Sequence, residues 1–263
     1  MRELTLDESK KLQLNILINI AKFCDEHYIK YSIAYGTLIG AVRHKGFIPW
    51  DDDIDIIMMR DDYERFVAIY KDDSYVLVDG EHQLNHLHVR IADNNTRLVS
   101  LKGARDKFYN SGLWVDVFPI DKVPNDKDEY ELFMRKIYRL CKLQLIAEVG
   151  GEGRKLTKRI PFYILQFFLK PFGKLFGKKI KKEIKKYNHS DSKSVANVSL
   201  WYLHYPSFSI DYMKEFIELE FEGCYFKSIS KYDEFLKGIY GDYMTPPPVD
   251  KRNYRHAYVA YIK

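Results

Sequence analysis

The sequence predicts an α+β fold: a mixed β-sheet, helices packed on it and a helical insertion. Short segments rich in β-branched and aromatic residues predict strands over residues 31–35, 54–59, 74–79, 86–92, 96–100, 112–118 and 218–226. Apolar residues three and four positions apart predict helices over 4–29, 61–70 and 230–240. Two longer helical patterns, over 127–148 and 156–187, predict the insertion at about 125–190 within a single domain spanning 1–263.

Charge and composition narrow the class of protein. The net charge is +5, but eight lysines and one acid give residues 170–186 a charge of +7, which leaves −2 for the rest. The basic character belongs to one segment and does not indicate a nucleic-acid-binding surface. The first residues, MRELTLDESKKL, do not resemble a signal peptide, and no apolar run approaches the ~20 residues of a membrane span. Three widely spaced cysteines are typical of the reducing cytoplasm, where we expect the protein.

The acidic run in IPWDDDIDIIMM is the strongest chemical signal in the chain. Side chains two apart on a strand share a face, so Asp53 and Asp55 are predicted to point the same way, with Asp51 just upstream. The isoleucines between and after them point into the core. Adjacent carboxylates repel unless a cation neutralises them, and oxygen ligands suit Mg²⁺ or Mn²⁺. The alternative is a solvated acidic turn, but the apolar flanks favour a metal site.

The segment before the acids is predicted to bind phosphate. Gly36 and Thr37 form a predicted turn that leads into a short helix over 38–44, whose first N–H groups suit an anion. Arg43 and His44 follow at the end of that helix and are candidate phosphate ligands. The alternative for His44 is an ordinary surface histidine.

Asp116 is the candidate third carboxylate, on the predicted strand over 112–118. A charge between Trp114 and Phe118 is costly to bury unless it is neutralised, which favours a metal-binding or general-base role over a turn acid. Arg90 is a further candidate phosphate ligand, although an arginine on a strand often pairs with a surface acid. The histidines at 82, 86 and 88 have no fourth ligand nearby and do not predict a zinc site.

Three motifs resemble the LicD family, and the resemblance runs from about Leu4 to His256, nearly the whole chain. They are Gly-Thr-Leu-Ile-Gly-Ala-x-Arg-His at 36–44, Ile-Pro-Trp-Asp-Asp-Asp-x-Asp at 48–55 and Val-Asp-Val-Phe-Pro-Ile-Asp at 115–121, with Tyr-Gly-Asp-Tyr-Met and a Pro-Pro-Pro run after residue 239. The resemblance implies a nucleotidyltransferase-like fold. It also implies transfer of phosphocholine from CDP-choline to a cell-surface glycan precursor of the teichoic acid, capsule or lipopolysaccharide type.

On this reading a hydroxyl of a lipid-linked glycan attacks the distal phosphorus of the CDP-alcohol, and CMP leaves. Mg²⁺ or Mn²⁺ is expected on Asp53, Asp55 and Asp116, and either Asp116 or Asp51 is expected to take the acceptor proton. Three alternatives stay open. They are transfer of ribitol or glycerol phosphate, as fukutin-related proteins imply, a true nucleotidyltransferase that releases pyrophosphate, and a non-enzymatic membrane-associated binding protein.

Choline recognition would use aromatic rings around the quaternary ammonium. Trp50, Trp114, Tyr240 and Tyr243 lie near the motifs in sequence and are the candidates. For each of them, plain packing is the alternative.

Residues 161–187 are predicted to bind an anionic membrane surface on the inner face of the cell membrane. Phe168, Phe172, Phe176, Ile180 and Ile184 recur every four residues, and lysines occupy much of the remaining segment. An ordinary surface helix also has one apolar stripe, but the charge of +7 favours an interfacial segment.

Overall fold

A computed structural model describes residues 1–79, 87–100, 112–150, 156–252 and 258–263, without the side chains of 100 and 156–159. His82 and His86, considered above, lie outside these residues. The chain divides into two compact units, one built from Met1–Asp79, His88–Ile120 and Ile210–Lys263 and the other mainly from Asp121–Ser209. The prediction of a single domain therefore stays a prediction. No described helix is long and apolar enough to cross a membrane.

The helices are α1 (Leu6–Glu26), α2 (Tyr35–His44), α3 (Arg60–Ile69), α4 (Lys127–Val149), α5 (Leu156–Leu169), α6 (Gly173–Ile184) and α7 (Tyr232–Tyr240). The strands are β1 (Arg2–Glu3), β2 (Ser32–Ile33), β3 (Asp55–Met59), β4 (Tyr75–Val78), β5 (Val89–Asp93), β6 (Thr96–Ser100), β7 (Trp114–Val123), β8 (Ser194–Ala196), β9 (Phe208–Ser209), β10 (Phe216–Phe221), β11 (Cys224–Ile229) and β12 (Tyr258–Ile262). The mixed α+β prediction is confirmed.

The main sheet of the first unit has the strand order β2-β3-β7-β5-β4. Strands β3 and β7 are parallel, and the other neighbours are antiparallel. Asp55 pairs with Asp116, and Asp116 pairs with Arg90 on its other side. Paired residues project from the same face of a sheet. This register therefore lays three charged side chains in one row across the three central strands.

Apolar packing holds this row in place. Ile54, Ile56 and Met58 are fully buried, as predicted. Ile57 is also buried, so β3 is covered on both faces. Helix α1 begins with a capping box in which Thr5 and Glu8 each bind the other's backbone N–H, and its buried stripe runs from Gln13 through Ile20 to Cys24.

Two smaller sheets complete the first unit. Strands β1, β12 and β6 form one of them, and the sequence patterns predicted neither β1 nor β12. Strands β10 and β11 form a hairpin where a single strand was predicted over 218–226. Its turn is Glu222–Gly223, both with positive φ, which is the backbone of a two-residue hairpin turn. Glu222 also accepts a hydrogen bond from the backbone N–H of Phe47, and its own N–H donates to Lys45, so the hairpin supports the loop after α2.

The second unit is largely helical. Helix α4 matches the prediction for 127–148 and is capped by Asp126. The region predicted as one helical stretch over 156–187 consists of α5 and α6, separated by a 3₁₀ turn over Lys170–Phe172 that contains Pro171. Pro161 lies inside α5 and does not begin it. Strand β8 pairs with Asp121–Val123 at the end of β7 and with β9.

Candidate active site

Helix α2 begins at Tyr35, three residues before the predicted start, so Gly36 and Thr37 lie in its first turn. Tyr35 has a φ of 51°, a left-handed value that strains a residue with a side chain. A Cβ on Gly36 would lie 2.4 Å from Asp51 Oδ2 and 4.0 Å from Asp53 Oδ1. A side chain at position 36 would therefore displace the Asp51 carboxylate.

The acidic run is tied to the same helix. The backbone N–H of Asp55 donates to Thr37 Oγ1 over 2.8 Å. Strand β3 starts at Asp55, so Asp53 lies just ahead of the strand. The structure thus brings Gly36, Thr37 and the acids at 51, 53 and 55 together, and the acids are all half-buried. Lys10, not predicted as part of the site, is near enough to Asp51 for that charge to raise its pKa, although burial lowers it more.

Asp116 is buried beneath three donors. His88 Nε2 and Arg90 Nε each lie 2.8 Å from Asp116 Oδ1. Trp114 Nε1 donates to Oδ2, also over 2.8 Å. The Arg90 guanidinium lies over the Trp114 ring, 4.2 Å from its centroid. Both oxygens of the carboxylate are therefore engaged.

The pKa values of this group follow from its contacts. Burial alone raises the pKa of Asp116, but the charge of Arg90 and the hydrogen bond from His88 outweigh it and hold the pKa well below its usual range. Burial lowers the pKa of His88 against the opposing effect of Asp116. A neutral His88 beside an ionised carboxylate must carry its proton on Nε2 in order to donate. Asp116 is thus a weak base in this arrangement.

The carboxylates differ in how well their oxygen atoms fit a metal ion. Within the described ranges, no three His, Cys, Asp or Glu side chains are placed to hold a metal ion. Asp116 fits poorly, because N–H donors face both of its oxygens. Asp53 and Asp55 fit better, since Mg²⁺ is commonly held by one or two carboxylates together with substrate phosphates and water. The metal-ligand assignments of Asp53, Asp55 and Asp116 stay predictions.

Arg43, His44 and Trp50 form a second group with Arg252, a residue that the sequence motifs did not indicate. The Arg43 and Arg252 guanidiniums lie 5.9 and 4.7 Å from the centroid of the Trp50 ring. Arg43 Nε donates to His44 Nε2 over 2.9 Å, and Arg252 Nε donates to the Pro247 carbonyl over 2.7 Å. Neither guanidinium has a carboxylate partner in the part of the chain that is described.

Like charges lie close together in this group. Burial lowers the pKa of Arg43, and the like charge of Arg252 lowers it further. Burial and the charge of Arg43 lower the pKa of His44 in the same way. Two cations held close together without a carboxylate favour an incoming phosphate.

Of the two predicted tyrosines, Tyr243 contacts this second group. Tyr243 accepts a hydrogen bond from Arg43 through its carbonyl, and its hydroxyl donates to Asp233 over 2.9 Å. Its side chain is buried, so it contributes a backbone acceptor to Arg43 rather than an open ring. Tyr240 is 43% exposed. Their contact with substrate stays a prediction.

A cavity of about 380 Å³ lies beside the acidic run, with Asp52 and Tyr258 in its lining. The Tyr258 ring is 5.4 Å from that of Trp114. Burial raises the pKa of Tyr258 well above its ordinary value, and the charges of Asp52 and Asp53 act in the same direction. Tyr258 lies on β12, so the sequence patterns that missed this strand missed the residue too.

Known proteins are similar to this chain in sequence. A family model described as LicD/FKTN/FKRP, nucleotidyltransferase domain, matches residues 28–138. The lipopolysaccharide cholinephosphotransferase LicD of Haemophilus influenzae is 32% identical over 275 residues, covering 100% of each chain. The chain belongs to the LicD family. An uncharacterized protein of Rickettsia typhi is 30% identical to this LicD-family chain over 161 residues, 59% of the chain and 48% of that protein.

The Asp116 group of this LicD-family chain predicts a large stability effect. Asp116→Asn leaves Arg90 buried beside a neutral amide, and breaking a buried ion pair typically costs about 3–5 kcal/mol. We expect the free energy of unfolding at pH 7 to fall by that amount in urea denaturation. Asp73→Asn, at an exposed position, is the control and should change it by less than about 0.5 kcal/mol. A loss below about 1 kcal/mol for Asp116→Asn would contradict a charged, paired carboxylate.

The same carboxylate predicts an acid-sensitive fold. The folded-state pKa of Asp116 is depressed, whereas the unfolded value is about 3.9. The unfolded state then binds more protons, so this stabilisation is fully present above that value and is lost as pH falls below it. Urea denaturation from pH 6 down to pH 2 should therefore show the stability gap between wild type and Asp116→Asn closing. A gap that stays constant over this range would refute the depressed pKa.

Proposed function

We propose that the protein transfers phosphocholine from CDP-choline to a hydroxyl of a cell-surface glycan precursor, in a reaction that requires Mg²⁺ or Mn²⁺. The observation that carries the proposal is the full-length similarity to a lipopolysaccharide cholinephosphotransferase. The site geometry supports it, because the half-buried carboxylates belong to the first unit together with two guanidiniums that have no carboxylate partner among the described residues. A diphosphate donor needs cations for its oxygens, and a hydroxyl acceptor needs a base.

In this proposal Arg43 and Arg252 bind the diphosphate of the donor. Their planar guanidiniums can each donate two parallel hydrogen bonds to phosphate oxygens. Trp50, which contacts both arginines, keeps them oriented while no anion is present. His44 is held by Arg43 and completes the donor set.

Asp53 and Asp55 are the proposed metal ligands, and the nearby Asp51 limits the space at Gly36. A bound divalent cation supplies positive charge that offsets the negative charge of the donor phosphates. The helix start at Gly36 and Thr37 presents backbone N–H groups to the same region.

Asp51 is the proposed general base, in preference to Asp116. The acceptor oxygen attacks the distal phosphorus, its proton passes to the Asp51 carboxylate, and the bond from that phosphorus to the CMP oxygen breaks. Asp116 is poorly suited to this role, because three donors already engage its oxygens and hold its pKa low. Its proposed role is to orient Arg90 on the face of the sheet. In the strand register, Asp116 lies between Asp55 and Arg90.

The proposal is tested by the products formed from a panel of donors. Purified protein with Mg²⁺ would be offered CDP-choline, CDP-ribitol and CDP-glycerol with a lipopolysaccharide acceptor, and phosphorus NMR would follow the products. CMP and phosphocholine-modified acceptor from CDP-choline alone support the proposal. Faster transfer of ribitol or glycerol phosphate would identify a different donor. Pyrophosphate released from CTP and phosphocholine, offered as a separate substrate pair, would place the protein among the nucleotidyltransferases.

Loss of either proposed metal ligand should abolish most turnover. Asp53→Ala and Asp55→Ala each remove a proposed ligand of the cation that would offset charge on the transferring phosphate, so we expect at least a ~100-fold loss in kcat. Circular dichroism should show that both variants stay folded, and Asp73→Ala is the control at an exposed position. Either variant retaining over about a tenth of wild-type activity at saturating Mg²⁺ would disprove its assignment.

Arg252→Gln tests the second guanidinium. A charge-assisted hydrogen bond contributes about 1.5–3 kcal/mol, so the Kd for CDP-choline should rise about tenfold or more. Isothermal titration calorimetry measures it directly. Arg135→Gln, an exposed arginine on α4, is the matched control and should leave the Kd unchanged. Equal Kd values for Arg252→Gln and wild type would remove Arg252 from the site.

A further inference from the structure

Helix α5 exposes large apolar side chains along one face from Ile160 to Phe168. Ile160, Ile164, Phe167 and Phe168 are spaced as neighbours on one side of a helix, and their exposed fractions are 64%, 56%, 77% and 64%. Tyr163, at 46%, extends the same face. Single exposed apolar residues are ordinary, but a contiguous patch of this size marks a surface that binds something.

The opposite face of α5 is already used within the second unit. Gln166 donates from its amide nitrogen to the carbonyls of Ala147 and Glu148 at the end of α4, over 3.4 and 3.2 Å. Phe162 and Leu169, on the same side as Gln166, are only partly exposed. Because α5 is apolar on both sides but packed on one, its outer face has the composition of a helix in an apolar medium.

The structure differs from the single apolar stripe that was predicted over residues 168–184. Ile180 and Ile184 are buried, at 0% and 3% exposure, whereas Phe168 is exposed. Gly173 and Gly177 let α6 approach Ala147 and Gln144 of α4, and Lys136 of α4 pairs with Glu183 over 2.7 Å. The stripe of Phe168, Phe172, Phe176, Ile180 and Ile184 is therefore divided between a covered face on α6 and an open face on α5.

The outer face of α6 carries lysines. Lys174, Lys178, Lys181 and Lys182 follow the spacing of one helical face, and all four are exposed. Phe172 and Leu175, 50% and 59% exposed, lie at the junction with α5. An open apolar face is thus followed directly by a row of positive charge.

We propose that the outer faces of α5 and α6, hereafter the α5–α6 surface, bind an anionic lipid bilayer peripherally. Helix α5 is about 21 Å long at 1.5 Å per residue, too short to span a bilayer but suited to lying in its interface. Apolar side chains would enter the headgroup boundary while the lysines meet lipid phosphates. The charge row favours this occupant over a second copy, because two copies would bring like charges together. The proposal does not depend on the proposed transferase activity.

Sedimentation with vesicles tests the proposal on the full chain. Wild type should pellet with phosphatidylcholine vesicles containing 30% phosphatidylglycerol at low salt, and should be released at high salt or from pure phosphatidylcholine. Replacing Lys174, Lys178, Lys181 and Lys182 by Gln should weaken binding at least about tenfold. The charge-matched control replaces Lys11, Lys71, Lys193 and Lys214, all exposed, by Gln and should bind like wild type. Equal binding by both quadruple variants would overturn the proposal.

The apolar face is tested separately. Ile164→Ser, Phe167→Ser and Phe168→Ser together should weaken vesicle binding at least about tenfold, whereas Tyr28→Ser, Tyr225→Ser and Val249→Ser, at equally exposed positions, should not. Thermal unfolding establishes that both variants are folded. Light scattering without lipid tests whether a second copy covers this face instead. The proposal would be overturned if wild type is a dimer, the α5 variant is a monomer and both bind vesicles equally.

A probe on α5 keeps the test independent of fold changes. Phe167→Cys in a Cys224→Ser background, labelled with a polarity-sensitive bimane dye, should shift to shorter wavelength with anionic vesicles. The remaining cysteines, Cys24 and Cys141, are buried. Binding without any spectral shift would show that α5 does not enter the bilayer and would refute the proposal.

Discussion

The carboxylate of Asp116 stays charged at the centre of the main sheet, and the arrangement around it follows from that constraint. An isolated buried charge is strongly unfavourable, so it requires donors from every side. Strand β5 supplies Arg90, and His88 lies just before that strand. Strand β7 supplies Trp114. These bonds fix the pairing of β5 with β7 and orient Arg90 over Trp114. The positions of the Arg90 guanidinium and the Trp114 ring are thereby fixed before any ligand binds.

The second constraint is the crowding of carboxylates around the start of α2. Asp51 approaches so closely that a side chain at position 36 would displace its carboxylate, and the preceding Tyr35 takes a left-handed backbone conformation. Such strain persists only where surrounding contacts hold it, and Tyr35 is held between Phe118 and Phe235. Packing of aromatic rings therefore maintains a local conformation that keeps acids and helix N–H groups together.

Local patterns predicted most elements of the sheet and helices, because side-chain periodicity and caps such as Thr5 act over a few residues. Features that depend on distant pairing were missed. Strand β12 is a strand through its contacts with β1 and β6, far away in sequence, and Tyr258 was missed with it. Periodicity found the apolar residues of α6 but not that α4 covers Ile180. The donors on Asp116 depend on strand register, which no single segment encodes.

The first unit carries its opposite charges in different groups of residues. Carboxylates gather at the start of α2, and the guanidiniums of Arg43 and Arg252 lie at Trp50, just ahead of those acids in sequence. Arg43 lies in the last turn of α2 and Gly36 in its first turn, so this helix links the anionic group to the cationic one. Transfer from a nucleoside diphosphate ester has matching requirements, since the phosphates of the ester need cations and the attacking hydroxyl of the acceptor needs a base. A displacement of helix α2 would therefore separate the carboxylates from the arginines in the proposed active site.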